Sequence, residues 1–371
     1  MNIVYESYKP RSILNTHKHV DGGWFWDKYS AFPYMGCFYG CEYCYWRDEK
    51  YNRLSREKPE LSDAFSQYVK IKENAVELLK KELKNKPKEV IYIDSYQPIE
   101  SKHRLARKLL EACHKLSFPV FINEKSPLLL NDLDILKKLD SINVGWSIAF
   151  SSDNEAKSIF ESRSPSIESR FSAMRELSNA GIMTGTVAMP LLPFICDNED
   201  NIKELVKKTR DNGGKYVLDA GLTLWGYCRT HYYKFLKQYD PKLIPKYDKA
   251  YDAKGNYLSY KSTYELVKEY CNRYNLPNHI PRPISSYPKE LQFNKLVAEH
   301  FYLKSREVMV TEGFGYKQFA CLRAAWIIDE LNYSIKGLSK QELMKINGIG
   351  DKTSDEITNL NASRQPFHNN C

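Results

Sequence analysis

Short β-branched or aromatic runs alternate with longer amphipathic stretches between residues 29 and 222. The candidate strands are residues 29–35, 89–94, 119–124, 143–149, 183–189 and 215–222. The stretches between them predict helices at about residues 63–86, 101–117, 130–140, 167–180 and 200–212. Strands joined by helices pair in parallel through right-handed crossovers, which roll the sheet toward a barrel. The alternation therefore predicts an α/β fold, a partial TIM-like (β/α)6 barrel with functional residues at the carboxyl ends of its strands.

The composition is that of a globular protein. The chain has 371 residues, of which 42% are hydrophobic and 27% charged, and this excludes disorder over most of its length. No run approaches the roughly 20 apolar residues of a membrane helix, and residues 1–10 lack the apolar core of a signal peptide. We therefore expect a cytoplasmic protein without a membrane partner. We then expect its nine cysteines to bind metal, take part in redox chemistry or pack in the core rather than form disulfides.

Changes in composition divide the chain into four predicted regions. An N-terminal extension covers residues 1–28, and the partial barrel covers residues 29–226. Residues 227–316 form a connecting region rich in tyrosine, lysine and proline, in which no periodicity is evident. From residue 317 to residue 371 the pattern is helical again, with helices expected at residues 318–331, 340–346 and 352–360. We interpret this last region as a separate α-helical module.

The most specific motif is a C-x3-C-x2-C run formed by Cys37, Cys41 and Cys44, just after the first predicted strand. Three thiolates on a short loop can converge on one metal centre. A structural zinc ion would need a fourth ligand, which Cys228 or His231 could supply from far along the chain. A four-iron cluster held by three cysteines would instead leave one iron open for substrate or cofactor chemistry.

This spacing, placed after the first strand of an α/β barrel, resembles the radical S-adenosylmethionine superfamily. The resemblance implies that Cys37, Cys41 and Cys44 bind a [4Fe–4S] cluster whose open iron is chelated by S-adenosylmethionine. In that superfamily an electron from the cluster cleaves the sulfonium, and the resulting 5′-deoxyadenosyl radical abstracts a hydrogen atom from the substrate. The resemblance also implies an electron donor of the flavodoxin or ferredoxin type.

Segments outside the cysteine motif narrow the resemblance to one branch of the superfamily. Residues 94–100 (DSYQPIE), 124–126 (EKS), 161–170 (ESRSPSIESR) and 180–182 (AGI) resemble the spore photoproduct lyase-like branch, also called DNA repair photolyase-like. The similarity runs from about residue 13 to residue 225. In that branch a cysteine beside the exit of the second strand returns a hydrogen atom to the product radical, whereas residues 92–94 contain no cysteine here. Cys113 and Cys196 are candidates to replace it, although a lone cysteine is more often a small buried hydrophobic residue. Tyr45 is a further candidate for relaying a hydrogen atom.

Candidate cofactor contacts lie at the predicted strand ends. Lys125 ends the third strand, where its ammonium group could pair with a carboxylate, and the resemblance suggests the carboxylate of S-adenosylmethionine. Ser147 ends the fourth strand, and Asp94 and Ser95 follow the second. The alternative is that these serines and aspartates only form turns or cap helices.

Three further charged residues have two interpretations each. Glu100, at a predicted helix start, suits either a capping or a catalytic role. Glu161 and Arg170 could form a buried ion pair beneath the site or lie separately on the surface.

The C-terminal module contains a tight Gly-x-Gly turn between two short helices. Gly348 and Gly350 would expose backbone amides at the start of the second helix, which suits a phosphate oxygen. The pattern resembles the helix-hairpin-helix motif, which implies binding to nucleic-acid backbones, and Lys345 and Lys352 would add electrostatic attraction. A hairpin used only for packing or partner contact is the alternative.

The sequence therefore predicts a radical S-adenosylmethionine enzyme that acts on nucleic acid, with lyase-type repair of a DNA lesion as the leading hypothesis. Its net charge of +9 is compatible with a polyanionic partner. One alternative keeps the radical chemistry and changes the substrate to RNA, a peptide or a small metabolite. The other is a nucleic-acid-binding scaffold whose cluster is structural or redox-sensing.

Overall fold

The computed structural model describes residues 3–51, 53–94 and 96–362, which form two compact units. The first unit comprises the described residues of Met1–Thr16 and Tyr29–Ile280, and the second those of His17–Lys28 and Pro281–Cys371. The predicted connecting region is thus divided, because residues 227–280 belong to the first unit and residues 281–316 to the second. Part of the predicted N-terminal extension, residues 17–28, also belongs to the second unit.

Strands and most helices lie in the first unit. The strands are β1 (Val4–Tyr8), β2 (Leu14–Thr16), β3 (Asp27–Ala31), β4 (Tyr34–Met35), β5 (Tyr68–Lys72), β6 (Val90–Tyr92), β7 (Val120–Glu124), β8 (Ile142–Ser147), β9 (Met183–Leu191) and β10 (Val217–Gly221). Its helices are α1 (Leu54–Glu57), α2 (Ala64–Gln67), α3 (Ala75–Leu83), α4 (Glu100–His103), α5 (Leu105–Lys115), α6 (Leu133–Leu136), α7 (Glu155–Phe160), α8 (Ile167–Asn179), α9 (Glu199–Asp211), α10 (Tyr227–Tyr239), α11 (Ile244–Ala250) and α12 (Tyr260–Arg273). Short 3-10 turns are formed by Tyr45–Arg47, Pro127–Asp132 and Pro241–Leu243.

The second unit is helical apart from the first two residues of β3. It contains α13 (Gln292–Glu312), α14 (Tyr316–Asp329), α15 (Lys340–Leu343) and α16 (Asp351–Ala362), with 3-10 turns at Ile284–Ser286 and Lys289–Leu291. Among the described residues, no helix is both long enough and apolar enough to span a membrane.

The main sheet has seven strands in the order β10-β9-β8-β7-β6-β3-β2. Neighbours from β6 to β10 pair in parallel, and β2 pairs antiparallel with β3. The strands predicted at 89–94, 119–124, 143–149, 183–189 and 215–222 correspond to β6–β10. The mixed α/β fold with a parallel sheet is therefore confirmed, and a partial barrel stays a prediction.

The helices carry apolar faces, in which hydrophobic residues recur every three or four positions. In α5 the buried side chains include Leu105 and Leu109, and in α9 they include Ile202 and Leu205. Spacings of three and four residues place these side chains on one side of each helix. Full burial of each such side chain contributes about 1.5–3 kcal/mol. Leu109, Ile202 and Leu205 belong to one hydrophobic core. Leu105 packs in a separate cluster with Val69.

The first predicted strand, residues 29–35, is wrong in extent. The chain leaves the main sheet after β3, and β4 pairs antiparallel with β5 in a separate three-stranded sheet of order β1-β5-β4. Pro33 lies at the break and has no N–H to donate to a ladder. Its carbonyl oxygen accepts a hydrogen bond of 2.9 Å from the backbone N–H of Lys72 in the smaller sheet. The segment that leads to the cysteines therefore starts from this smaller sheet.

The helix predicted over residues 63–86 is also wrong, because β5 lies within it. Val69 and Ile71 are β-branched and buried, and β5 pairs on one side with β1 and on the other with β4. Two strand partners outweigh the helix propensity of the flanking residues. The helix predicted over residues 101–117 is likewise interrupted, at Arg104, whose φ of 49° ends α4.

The tyrosine-rich part of the predicted connecting region belongs to the hydrophobic core. Tyr232 and Tyr247 are fully buried and their hydroxyl groups lie 2.9 Å apart. The ring of Tyr247 stacks on that of Tyr251 with centroids 5.7 Å apart. These tyrosines come from α10, α11 and the residue after it, so the segment that the sequence left without periodicity packs as helices.

Glu100 links the smaller sheet to α5. Its carboxylate accepts a hydrogen bond of 2.8 Å from the backbone N–H of Ala106 in the first turn of α5, and the hydroxyl group of Tyr34 in β4 donates to its other oxygen. Glu100 therefore has a capping role. It lies in α4, but the helix that it caps is α5. Burial raises the pKa of this carboxyl group to about 7.

We predict that Glu100→Gln weakens the dependence of stability on pH. Because the pKa of Glu100 is higher in the folded protein than its ordinary value of 4.5, its contribution is complete below pH 4.5 and is lost as pH rises through about 7. Glutamine does not titrate. Its amide oxygen can accept from Ala106, and its amide nitrogen can donate to the hydroxyl oxygen of Tyr34. Urea midpoints across this pH range should fall less steeply for Glu100→Gln than for the wild type. The exposed control Glu77→Gln should follow the wild type, and equal slopes for all three proteins would contradict the assignment.

Candidate active site

The cysteine loop, residues 37–44, follows β4 directly and depends on a glycine at its start. Gly36 has a φ of 88°, in the region that favours glycine, and a Cβ there would overlap the carbonyl oxygen of Tyr68 in β5. The next residue, Cys37, donates its backbone N–H to the carbonyl oxygen of Phe65 at 2.9 Å. The smaller sheet and α2 therefore fix where the loop begins.

Arg47, which the sequence analysis did not single out, holds the far side of the loop. Its guanidinium group is fully buried and donates to the carbonyl oxygens of Gly40 and Cys41, the latter at 3.0 Å. The same group pairs with Glu42 at 3.1 Å and with Asp63 at 2.7 Å. A buried cation with two carboxylate partners is stabilised against its desolvation cost, so it can serve as a fixed clamp on the loop backbone.

Gln97 holds the near side of the loop. Its side-chain oxygen accepts from the backbone N–H of Phe38 at 2.9 Å, and its side-chain nitrogen donates to the carbonyl oxygen of Gly36 at 3.3 Å. Gln97 lies in the 94–100 segment that follows β6. The sequence analysis quoted that segment for its resemblance but assigned no role to Gln97.

The cysteine triplet (Cys37, Cys41 and Cys44) consists of three free thiols. Burial, followed by the charge of Cys41, raises the pKa of Cys37 to about 12. Burial and then the charges of Cys41 and Cys37 raise the pKa of Cys44. Each thiol thus lies within electrostatic range of another thiol of the triplet. The raised pKa values mean that the protonated thiols are favoured in the absence of a metal. A bound metal centre favours the thiolates instead, because its positive charge stabilises them.

The donor set of the cysteine triplet fits a four-iron cluster. A structural zinc ion needs four protein ligands, and the triplet supplies three. In a four-iron cluster each of three cysteines binds a different iron, and the fourth iron stays open. Among the described residues, Glu42, Asp63 and His231 form a separate group of potential ligand atoms within 4.8 Å of one another.

The residues considered for a fourth zinc position have other contacts. The ring of His231 lies 2.6 Å from Glu42, within the ion-pair network of Arg47. The thiol of Cys228 lies 3.7 Å from the carbonyl oxygens of Cys44 and Tyr45. Cys228 is therefore close to the loop backbone, whereas His231 belongs to the clamp.

Two predicted cofactor residues lie together at the ends of neighbouring strands. Lys125 follows β7 and Ser147 ends β8, and the ammonium group of Lys125 donates to the hydroxyl oxygen of Ser147. The ammonium group also lies 3.6 Å from a carboxylate oxygen of Glu161. Carboxyl ends of parallel strands meet at one edge, which explains why residues 22 apart in sequence converge.

The predicted Glu161–Arg170 pair is confirmed. Their side chains are fully buried and 2.5 Å apart, and Arg170 also donates to the carbonyl oxygen of Ser147 at 2.9 Å. The hydroxyl group of Tyr43 in the cysteine loop donates to Glu161. Although burial alone would raise the pKa of Glu161, the charges of Arg170 and Lys125 lower it to about 2. This carboxylate therefore joins the cysteine loop to the strand ends.

Asp94 lies after β6, next in the sheet to β7. Burial, and then the charge of Glu124, raises the pKa of Asp94 well above its ordinary range, and its charge acts in turn on Cys37. Glu124 accepts the backbone N–H groups of Tyr96 at 3.0 Å and Lys125 at 3.1 Å. Ser95, the remaining predicted cofactor residue, lies outside the described residues.

The hydrogen-transfer candidates occupy different environments. Tyr45 lies in the 3-10 turn after the loop and is 46% exposed. Cys113 in α5 and Cys196 after β9 are buried in the core, and burial raises the pKa of Cys113 to about 12. The thiol of Cys196 accepts a hydrogen bond of 3.1 Å from the backbone N–H of Leu192. Their roles stay predictions.

The predicted nucleic-acid residues all lie on the surface of the second unit. Lys345, Gly348, Gly350 and Lys352 are exposed, and Gly348 has a φ of 91°. Beneath this turn Leu343, Ile349 and Ile357 are buried, as the apolar pattern predicts. The assignment to a helix-hairpin-helix motif stays a prediction.

Comparisons with known proteins give partial similarities, and no protein-family model matches the chain. An uncharacterised protein of Methanocaldococcus jannaschii is 35% identical over 179 residues, which cover 48% of this chain and 65% of that protein. A spore photoproduct lyase of Clostridium acetobutylicum is 26% identical over 259 residues, covering 65% of this chain and 71% of the lyase. Streptococcus suis SuiB bound to S-adenosylmethionine aligns with a TM-score of 0.40 and 13% identity, covering 71% of this chain and 49% of SuiB. The chain thus spans less than two thirds of the M. jannaschii protein and about half of SuiB.

We predict that Arg47→Ala destabilises the protein by about 3–5 kcal/mol, because it leaves two carboxylates and two loop carbonyls without their buried partner. The same variant should retain less iron after reconstitution. Arg56→Ala is the matched control, since Arg56 is 69% exposed and pairs with Glu49 on the surface. It should change the free energy of unfolding by less than about 1 kcal/mol. Equal urea midpoints and equal iron contents in the two variants would show that Arg47 does not clamp the loop.

Proposed function

We propose that this chain is a radical S-adenosylmethionine enzyme with a partial (β/α)6 barrel. The observation that carries the proposal is the clamped cysteine triplet beside a charged cluster at the ends of β7 and β8. Similarity to a spore photoproduct lyase over 65% of this chain supports it. Cys37, Cys41 and Cys44 would hold a [4Fe–4S] cluster, and their three free thiols are the donor set that such a cluster needs.

When bound, the cluster supplies the electron that splits S-adenosylmethionine into methionine and a 5′-deoxyadenosyl radical able to remove a hydrogen atom from the substrate. The chain's own residues provide the anchor for the cofactor. Lys125 and Arg170 share the single carboxylate of Glu161, so these three side chains together carry one surplus positive charge. That charge suits the carboxylate of the methionine moiety, with Lys125 as the accessible cation.

The hydroxyl group of Ser147 orients Lys125 and is a second cofactor contact in this proposal. Asp94, two residues after the adjacent strand β6, is a further proposed contact, and so is Ser95, which lies outside the described residues. A flavodoxin- or ferredoxin-type protein is the proposed electron donor. For the return of a hydrogen atom, Tyr45 is the exposed candidate, while Cys113 and Cys196 are buried.

The proposed substrate is DNA, and the proposed reaction is lyase-type repair of a lesion. The helical turn of the second unit supports a nucleic-acid partner, because its exposed Gly348 and Gly350 precede α16 and Lys345 and Lys352 flank it. Lys340 lies 2.7 Å from both Asp351 and Asp355. It thereby offsets one of the two negative charges that would repel a phosphate at this turn.

The enzymatic proposal is tested by Cys41→Ala in anaerobically reconstituted protein. The wild type, given S-adenosylmethionine and dithionite, should form 5′-deoxyadenosine, and Cys41→Ala should form none because one iron loses its ligand. Cys321→Ala, a substitution in α14 of the second unit, should retain the wild-type rate. A wild type that binds nucleic acid but forms no 5′-deoxyadenosine would favour the scaffold with a structural cluster.

The nucleic-acid proposal is tested by the double substitution of Gly348 and Gly350 by alanine. We expect weaker binding of duplex DNA and a shallower salt dependence between about 50 and 200 mM salt, because the backbone amides and lysines would no longer be aligned with a phosphate. Gly337→Ala is the matched control, since Gly337 has a φ of 78° and open space around it. Binding that is lost equally in both variants, or absent in the wild type, would point to a peptide or small-metabolite substrate.

A further inference from the structure

Aromatic side chains gather on the surface immediately after the cysteine loop. Tyr45, Trp225 and Tyr227 are 46%, 39% and 38% exposed. The ring of Tyr51 lies 5.0 Å from that of Tyr45, and Trp46 lies 5.9 Å from Tyr51. Exposed tyrosine and tryptophan rings in one place provide stacking faces for flat ligands.

A lysine ammonium group lies close to two of these rings. The Nζ atom of Lys50 lies 5.3 Å from the ring centroid of Tyr51 and 5.7 Å from that of Trp225. A ring face that attracts a cation can also stack on a planar base, so a base could take the place of the ammonium group on one of these rings. The displaced ammonium group would then be available for a phosphate.

Trp225 is held in position by its neighbours. Its indole N–H donates to the side-chain oxygen of Asn256 at 3.0 Å, and Asn256 donates in turn to Asp252 at 2.8 Å. The backbone N–H of Leu224 donates to the carbonyl oxygen of Gly255 at 2.9 Å. The ring is therefore preorganised, which lowers the entropic cost of stacking on it.

Tyr227, together with Lys50, lines a charged cleft of about 620 Å³, a size typical of small-ligand sites. Its lining residues are Asp48, Glu49, Lys50, Arg53, Arg56 and Tyr227. Arg56 pairs with Glu49, and Lys50 and Arg53 together outweigh Asp48 by one positive charge. One surplus charge matches the single phosphate of one nucleotide rather than the backbone of a long duplex.

The cleft also adjoins the proposed radical site. Tyr45 follows the last cysteine of the triplet, and Cys228, next to Tyr227, lies 3.7 Å from the carbonyl oxygen of Cys44. A base stacked on the ring of Tyr227 or Trp225 would therefore lie near the cysteine loop.

We propose that this cleft, lined by Tyr227, Lys50 and Arg53 and extended by the exposed ring of Trp225 beside Lys50, binds one unpaired nucleotide of a DNA strand. The base stacks on the aromatic rings, and Lys50 and Arg53 hold the phosphate. The inference rests on the proposed function and names the form in which the substrate enters the site. A base within a duplex has both faces stacked, so the cleft selects single-stranded or extruded nucleotides.

The test measures fluorescence anisotropy of the reconstituted full chain with an oligothymidylate of about 12 nucleotides, its duplex and the RNA counterpart. The single strand should bind more tightly than the duplex. Trp225→Ala should weaken single-strand binding about tenfold to a hundredfold, as loss of one stacking face does. Trp225→Phe keeps an aromatic face and should restore most of the affinity. Leu258→Ala, at a side chain that is 64% exposed, is the control and should bind as the wild type does.

Equal single-strand affinity of Trp225→Ala and the wild type would overturn the inference, and so would loss of affinity in Trp225→Phe as large as in Trp225→Ala. Tighter binding of the RNA would overturn the assignment to DNA. Formation of 5′-deoxyadenosine by the wild type is measured separately. If it fails while the Trp225 series behaves as expected, the cleft binds DNA and the enzymatic proposal is wrong.

Discussion

The buried guanidinium group of Arg47 determines the shape of the cysteine loop. Two loop carbonyls, those of Gly40 and Cys41, have this one cation as a partner, and Glu42 and Asp63 balance its charge. Desolvating a cation is costly, so such a group is stable only when its partners are arranged around it. The loop, the clamp and the turn that carries Asp63 therefore depend on one another, and the positions of the three thiols follow from that arrangement.

A second buried cation connects this loop to the sheet. Arg170 binds Glu161, which accepts from Tyr43 of the loop, and Arg170 also donates to the backbone of Ser147 at the end of β8. Lys125 joins the same carboxylate from β7. The cysteine triplet and the proposed cofactor anchor are thus parts of one hydrogen-bonded network, which explains how a loop outside the main sheet is positioned against its strand ends.

Hydrophobic periodicity predicted those strands and helices whose signal lies within the element itself. Strands β6–β10 and helices α5, α8 and α9 follow from hydrophobic periodicity, and the positions of Lys125 and Ser147 follow from the strand ends. Strand β5 was missed because its partners β1 and β4 are distant in sequence, so no local signal marks the pairing. The role of Arg47 was missed for a similar reason. Its partner Asp63 lies 16 residues away, and an arginine after a cysteine motif is typical of a surface position until its burial is known.

The central claim is that the cysteine triplet holds a cluster with one iron open to S-adenosylmethionine. Electron paramagnetic resonance of the anaerobically reconstituted, dithionite-reduced protein tests it most directly. We predict the signal of a reduced four-iron cluster, with a change in its shape when S-adenosylmethionine is added. A signal that is unaffected by S-adenosylmethionine, or a purified protein that contains zinc in place of iron, would contradict the account.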